Sequence, residues 1–142
     1  MKFYIANDHA GFNIKSAVIK LLEDRDYEII DLGTKSINRV DYPDFAHILC
    51  EKVLKDEGSF GILICGTGIG MSMSANRHKG IRAALCHDAY TAKMARAHND
   101  ANVLCLGERV VGLGTIESII EAWTQTQFEG NRHEHRVQKI EL

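Results

Sequence analysis

The amino-acid sequence predicts an α/β fold: a three-layer αβα sandwich around a five-stranded, parallel, Rossmann-like sheet. Strand-sized apolar runs alternate with segments of helical periodicity along the whole chain. Such alternation is typical of a parallel sheet that is covered on both faces. The 142 residues are enough to bury a core, so we expect one domain over residues 1–142.

Five apolar runs predict the strands. They are Phe3–Ala6, Glu28–Leu32, Phe60–Cys65, Ile81–Cys86 and Val103–Leu106. Apolar residues three and four positions apart predict helices between and after them. These positions are Ile14, Val18, Leu21 and Leu22, then Phe45, Ile48, Leu49 and Val53, and finally Ile116, Ile119, Ile120 and Trp123.

Capping residues predict where several helices begin and end. Pro43 suits a first helical turn, and Asp88 suits the N-cap of an alanine-rich helix over Ala89–Ala97. We expect Gly130 to close the helix that contains Trp123. Asn131, with Glu134 three residues later, predicts a capping arrangement for a short last helix.

Composition and charge exclude several function classes. The net charge is −2 with no basic stripe, so we expect no nucleic-acid partner. The longest apolar runs are strand-sized and the N-terminal one is too short for a signal peptide, which predicts no membrane segment. The four cysteines form no C-x-x-C pair, which predicts free thiols and a cytoplasmic location. His133-x-His135 and Cys86-His87-Asp88 are too loosely spaced for a metal set, so we expect no metal.

The loop after the third predicted strand combines a thiol with closely spaced glycines. Cys65 ends the strand, and Gly66, Gly68 and Gly70 follow before a segment that can be helical. Glycines let backbone amides approach a ligand, and a helix start favours negative charge. The same field favours a cysteine thiolate, which can act as a base or nucleophile.

Two simpler interpretations of this loop remain open. It could be a nucleotide-binding turn, although Met71 stands where a dinucleotide fingerprint has its third glycine and no P-loop lysine follows. Alternatively, the glycines only permit tight packing and Cys65 is a small core residue.

Other polar residues follow strands or lie at helix ends. Asp8 and His9 follow the first strand, where ligands bind in open α/β sheets, and they either contact a sugar or satisfy a turn. Arg132 and Arg136 lie four apart, as a phosphate clamp or as a solvated helix face. His98, followed by Asn99, closes the alanine-rich helix, where a histidine can simply cap carbonyl groups.

Six motifs in order closely resemble the ribose-5-phosphate isomerase type B family, which belongs with the galactose-6-phosphate isomerases. They are Asp8-His9-Ala10-Gly11, Asp41-Tyr42-Pro43-Asp44, Cys65-Gly66-Thr67-Gly68-Ile69-Gly70, Ala97-His98-Asn99-Asp100, Gly107-Glu108-Arg109 and Arg132-x-x-x-Arg136-Val137. The resemblance spans nearly the whole chain. One departure is Asn131, where the family pattern has a second glycine after Gly130.

The resemblance implies a phosphosugar aldose–ketose isomerase that uses neither metal nor organic cofactor. It implies that Cys65 is the proton-transferring base, that His98 opens the sugar ring and that Thr67 orients or shuttles a proton. It implies further substrate contacts from Asp8, His9, Tyr42, Asn99, Arg109, Arg132 and Arg136, and from the loop residues Gly66, Thr67, Gly68, Ile69 and Gly70.

The same resemblance implies a homodimer or a tetramer whose sites are shared between subunits, and we expect Arg132 and Arg136 to serve the partner's site. Ribose 5-phosphate is the expected substrate. The alternatives are a six-carbon phosphosugar such as allose 6-phosphate or galactose 6-phosphate, and a non-catalytic phosphosugar-binding module. A thiol redox protein is a further alternative, although no resolving cysteine lies near Cys65 in the sequence.

Overall fold

A computed structural model describes all residues from Met1 to Leu142. Five strands form one parallel sheet in the order β2-β1-β3-β5-β4, which confirms the predicted fold class. The strands are β1 Lys2–Asn7, β2 Glu28–Asp31, β3 Phe60–Cys65, β4 Ala83–Leu85 and β5 Val103–Gly107. The α-helices are α1 Phe12–Glu23, α2 Tyr42–Lys55, α3 Ile69–Ala75, α4 Ala89–Ala97, α5 Leu113–Gln125 and α6 Arg132–Gln138.

Helices cover both faces of the sheet, so the central strands are buried on each side. One apolar cluster joins α1, α4 and α5 to residues such as Ile5, Ile62 and Leu104. The other joins α2 and α3 to residues such as Leu63 and Cys105. Because neighbouring strand residues point to opposite faces, Ile62 and Leu63 enter different layers.

The chain reverses its direction of growth across the sheet between β1 and β3. From β1 it moves outward to β2, and then returns to β3 on the other side of β1. Ligands of open α/β sheets bind at such a switch point, beyond the carboxyl ends of the strands. In this chain Asp8 and Cys65 mark that position.

Most predicted boundaries hold within one or two residues. Pro43 lies in the first turn of α2, and the Asp88 carboxylate accepts the Thr91 amide as the N-cap of α4. Strand β4 is shorter than predicted at its start, because the Ile81 amide donates to His78 in a turn instead of joining the ladder.

Two predictions near the C-terminus are wrong. Helix α5 ends at Gln125, so Gly130 does not close it; the polar run around Thr126 takes an extended conformation instead. Asn131 precedes α6 without capping it through its side chain, because its φ of 53° and ψ of −125° are unlike an N-cap. Its Nδ2 donates to the Glu129 carbonyl instead, at 3.3 Å.

Candidate active site

The carboxyl ends of β1, β3 and β5 meet at one place on the sheet edge. The Asp8 amide donates to the Ile64 carbonyl at 3.2 Å, which ties the β1 loop to β3. The Glu108 amide donates to the Cys65 carbonyl at 2.9 Å, and the Arg109 amide donates to Gly66 at 3.0 Å. These backbone bonds hold Asp8, Cys65 and Arg109 side by side.

Asp8 and His9 are oriented by bonds that leave one polar atom of each available. Asp8 is buried, and its Oδ1 accepts the amides of Ala10 and Gly11 at 2.9 and 3.2 Å. Its Oδ2 makes no hydrogen bond. The Nδ1 of His9 accepts the Val40 amide at 3.2 Å, which leaves the proton of a neutral ring on Nε2. Asp8 therefore satisfies a turn and still offers an oxygen to a ligand.

Cys65 differs from the other three cysteines in the polar group that faces its sulfur. Its residue is 5% exposed, and Sγ accepts the Gly68 amide at 3.1 Å. An amide N–H that points at sulfur stabilises negative charge there. Burial, in contrast, raises the pKa of Cys50 to about 12 and that of Cys86 to about 11, and raises that of Cys105. Cys65 is thus the only one of the four cysteines whose sulfur accepts a backbone amide.

The glycines of the loop serve specific steric needs. Gly68 has a φ of 79°, a left-handed conformation that favours glycine, and it turns the chain from β3 into α3. A Cβ on Gly66 would lie 3.1 Å from Nη1 of Arg109, so this glycine gives the guanidinium room beside the loop.

The amides of the loop divide into used and unused donors. Gly68 donates to the Cys65 sulfur, and Ile69 donates to Oγ1 of Thr67 at 3.2 Å. The amides of Gly66, Thr67 and Gly70 have no hydrogen-bond acceptor in the chain. These amides remain available to a ligand's oxygen.

A cavity of about 910 Å³ opens beside this edge. Four of the predicted residues line it: Asp8, His9, Tyr42 and Arg109. The ring of Tyr42 also packs against Gly70, because a Cβ there would lie 2.6 Å from the ring. Arg39, Asp41 and Asp44 line it too and were not predicted as site residues. The Asp41-Tyr42-Pro43-Asp44 motif signalled the two aspartates, whereas nothing in the sequence pattern singled out Arg39.

A second group of predicted residues lies around the end of α4 and on α6: His98, Asn99, Arg132 and Arg136. His98 is the C-cap of α4, and it lines a separate cavity of about 350 Å³ together with Asn99, Arg136 and His133. Arg132 and Arg136 are both exposed on α6. The two cavities share no lining residue, so neither cavity of a single chain is lined by residues of both groups.

His98 lies in a cluster with Glu129 and His133. Its ring stacks on that of His133, with 4.1 Å between centroids and 11° between planes. The Oε2 of Glu129 lies 3.8 Å from Nε2 of His98 and 3.6 Å from Nε2 of His133. The buried Nε2 of His133 has no hydrogen-bond partner, and burial, followed by the charges of His98 and Arg132, lowers the pKa of His133.

The three ligand atoms lie within 4.8 Å of one another, which is close enough to test for a metal site. An imidazole binds metal along the lone pair in its ring plane. Two stacked planes only 11° apart do not intersect near their nitrogen atoms. Both rings therefore cannot coordinate one ion in this arrangement, and the prediction of a metal-free site stays a prediction.

None of the six helices is both long and apolar enough to cross a bilayer. The fold and the polar sheet edge define an α/β protein whose ligand site lies beyond the carboxyl ends of its strands. The ribose/galactose isomerase family matches residues 3–140, and the chain belongs to this family.

Named relatives match nearly the full length of the chain. Ribose-5-phosphate isomerase B of Escherichia coli is 47% identical over 133 residues, covering 94% of this chain and 89% of that protein. The solved ribose-5-phosphate isomerase B of Clostridium thermocellum superposes with a TM-score of 0.96 at 50% identity, covering 99% of this chain and 95% of the other. The type B enzyme of Trypanosoma brucei gives a TM-score of 0.94 at 47% identity, covering 98% and 95%.

Proposed function

We propose that this protein interconverts ribose 5-phosphate and ribulose 5-phosphate, with Cys65 as the base. The observation that carries the proposal is the position of the Cys65 sulfur. It ends β3 at the switch point of the sheet, 3.1 Å from the Gly68 amide. Cys65 itself does not line the cavity, but backbone bonds tie its strand and loop to Asp8 and Arg109, which do. The names of the relatives support the choice of substrate.

The proton transfer follows from the loop geometry. The Cys65 thiolate removes the proton from C2 of the open-chain aldose, and the bonding electrons form the C1–C2 double bond of an enediolate. The unused amides of Gly66, Thr67 and Gly70 then stabilise the oxygen that gains charge. Cys65 returns the proton at C1, while a proton passes from O2 to O1 to give the ketose. Thr67, exposed two residues after Cys65, is suited to carry that hydroxyl proton.

His98 is proposed to open the furanose ring as a general acid–base. Its side chain is 37% exposed, so it can reach a substrate, and histidine is the side chain most often used as a general acid–base. Asn99 follows it directly and offers an amide to the sugar hydroxyls. Asp8 and His9 would hold sugar oxygens from the sheet side.

We further propose that the active site is shared between two copies of the chain. His98, Asn99, Arg132 and Arg136 belong to one group, and Cys65 belongs to the other. A two-fold dimer can place the second group of one chain over the first group of its partner, and it then forms two equivalent sites. The arginines would bind the substrate's phosphate there with charge-assisted hydrogen bonds.

A coupled isomerase assay with ribose 5-phosphate, allose 6-phosphate and galactose 6-phosphate tests the proposal. We expect the highest kcat/KM with ribose 5-phosphate. A higher value with a six-carbon substrate would redirect the proposal to a longer pocket. Binding of all three with no turnover, and no exchange of substrate protons with solvent, would instead indicate a non-catalytic binding module.

A further inference from the structure

His98 shares one carboxylate with a second, buried histidine, an arrangement that no simple capping role requires. Oε2 of Glu129 lies 3.8 and 3.6 Å from the Nε2 atoms of His98 and His133, while the two rings stack at 4.1 Å. The backbone also holds Glu129 in place, because its amide donates to the Ala97 carbonyl at 3.0 Å, one residue before His98. All three side chains belong to the same chain, so they enter any shared site together.

We propose that Glu129 and His133 are positioning residues that keep the ring-opening proton on His98. This inference rests on the proposed isomerase function. Neither residue needs to touch the substrate: Glu129 acts through its charge, and His133 through its stacked ring.

The electrostatics disfavour protonating both imidazole rings at the same time. Two imidazolium ions stacked at 4.1 Å repel each other, and the buried ring loses more hydration on charging. Burial and the positive neighbours His98, Arg132 and Arg136 lower the pKa of His133, against the opposing charge of Glu129. Charging His133 is therefore disfavoured, and its side chain is only 7% exposed against 37% for His98.

Opening of the furanose ring requires a proton donor at the position of His98. The hydroxyl at C1 loses its proton, its electrons form the C1 carbonyl, the bond from C1 to the ring oxygen breaks, and that oxygen takes a proton. A charged His98 donates the proton that the ring oxygen takes, and a water molecule takes the proton that the C1 hydroxyl loses. No oxidant, metal or cofactor enters this balance.

The step can be separated experimentally from the chemistry at Cys65. Ribulose 5-phosphate cannot close a furanose ring, because the hydroxyl needed carries its phosphate. Exchange of its C1 proton in D2O therefore uses the base without ring opening. We expect Glu129→Gln to lower turnover of ribose 5-phosphate about tenfold, since it removes only part of a general acid–base contribution. Deuterium exchange into ribulose 5-phosphate, followed by NMR, should stay within about twofold of the unaltered protein.

The pH profile gives a second readout that a purely structural role would not move. Removing the negative charge in Glu129→Gln should shift the limb that reports His98 to lower pH by about half to one unit. Removing the competing imidazole in His133→Phe should shift the same limb to higher pH. The limbs of the two variants should shift in opposite directions whether His98 acts as an acid or as a base, because both substitutions change the free energy of charging His98.

Glu134→Gln is the matched control, because Glu134 is exposed on α6 and pairs with Gln138 rather than with an imidazole. Glu134→Gln should change neither the turnover of ribose 5-phosphate nor the pH profile. Three results would overturn this inference alone. Glu129→Gln could lower turnover and exchange equally, or it could lower neither. The pH limbs of Glu129→Gln and His133→Phe could also shift in the same direction. Absence of both turnover and exchange in the unaltered protein would overturn the isomerase proposal and this inference with it.

Discussion

Asp8, Cys65 and Arg109 are held by the sheet, whereas His98, Arg132 and Arg136 are held at the ends of two helices. Backbone bonds between neighbouring strands and loops fix the first group, such as Glu108 to Cys65 at 2.9 Å. The second group depends on the end of α4 and on the short helix α6, which an extended segment joins to α5. The rigid group is suited to proton abstraction, where small displacements are costly, and the helix-end group is suited to meeting a second chain.

The largest expected effect comes from removing the sulfur of the sheet-held group. Cys65→Ala should reduce isomerase kcat by about 10²–10⁴, because a positioned base is typically worth that factor. Its circular dichroism and melting temperature should stay near those of the unaltered protein, since only one sulfur is lost.

Cys86→Ala is the matched control for that variant. Cys86 directly follows β4 on the same edge of the sheet, but burial raises the pKa of its thiol to about 11, so it is not ionised at neutral pH. We expect near-normal turnover for Cys86→Ala. Near-normal turnover for Cys65→Ala would instead contradict its assignment as the base.

Mixing two inactive variants tests whether the two groups meet across two chains. Neither Cys65→Ala nor Arg136→Ala should be active alone. In a mixture reassembled from equal amounts, half of the dimers contain both variants and each of these has one intact site, so activity should return to about a quarter of normal.

Two Cys65→Ala preparations mixed in the same way provide the control and should recover nothing. Mass spectrometry would verify that mixed dimers have formed. Mixed dimers without activity would indicate that each site is built within a single chain.

Much of the sheet-held group was predictable, and its partner group was not. Apolar runs locate the strands, and the carboxyl ends of parallel strands share one edge, so the sequence alone places Asp8, Cys65 and Arg109 together. No local pattern states that His98 and Arg136 lie in one cavity. Their proximity depends on how α6 packs against the end of α4.

Glu129 and His133 were missed for the same reason. Glu129 lies in the connection between α5 and α6, and His133 is the one buried residue of a helix that is polar apart from Val137. The stacking of His133 on His98 is a contact between residues 35 positions apart, which periodicity does not encode.

A smaller effect is expected at the entry to the helix-end group. Asn131 has a φ of 53° and a ψ of −125°, a conformation that glycine adopts far more readily. Asn131→Gly should therefore raise the free energy of unfolding by about 1 kcal/mol, as relief of strain outweighs the added flexibility of the unfolded chain. Chemical denaturation would measure it.

Substitution of the neighbouring glycine, Gly130, should change the free energy of unfolding in the opposite direction. Gly130 has a φ of 66°, and nothing lies within 4 Å of a Cβ placed there. Gly130→Ala should thus destabilise the protein through backbone strain alone. If Asn131→Gly also destabilised it, the side-chain bond from Asn131 to Glu129 would contribute more than the strain costs.

The smallest effect concerns the pH dependence of stability in the helix-end group. Burial, followed by the charge of His98, holds the pKa of His133 below its usual range. The unfolded chain therefore binds a proton at His133 more readily than the folded chain does, and the folded state loses stability as the pH falls below about 6.5. His133→Phe removes this contribution, so its melting temperature should fall less between pH 7.5 and pH 5 than that of the unaltered protein. Parallel melting curves across that range would mean that His133 is as easily charged inside the fold as outside it, and the single-proton arrangement with His98 would then lose its physical basis.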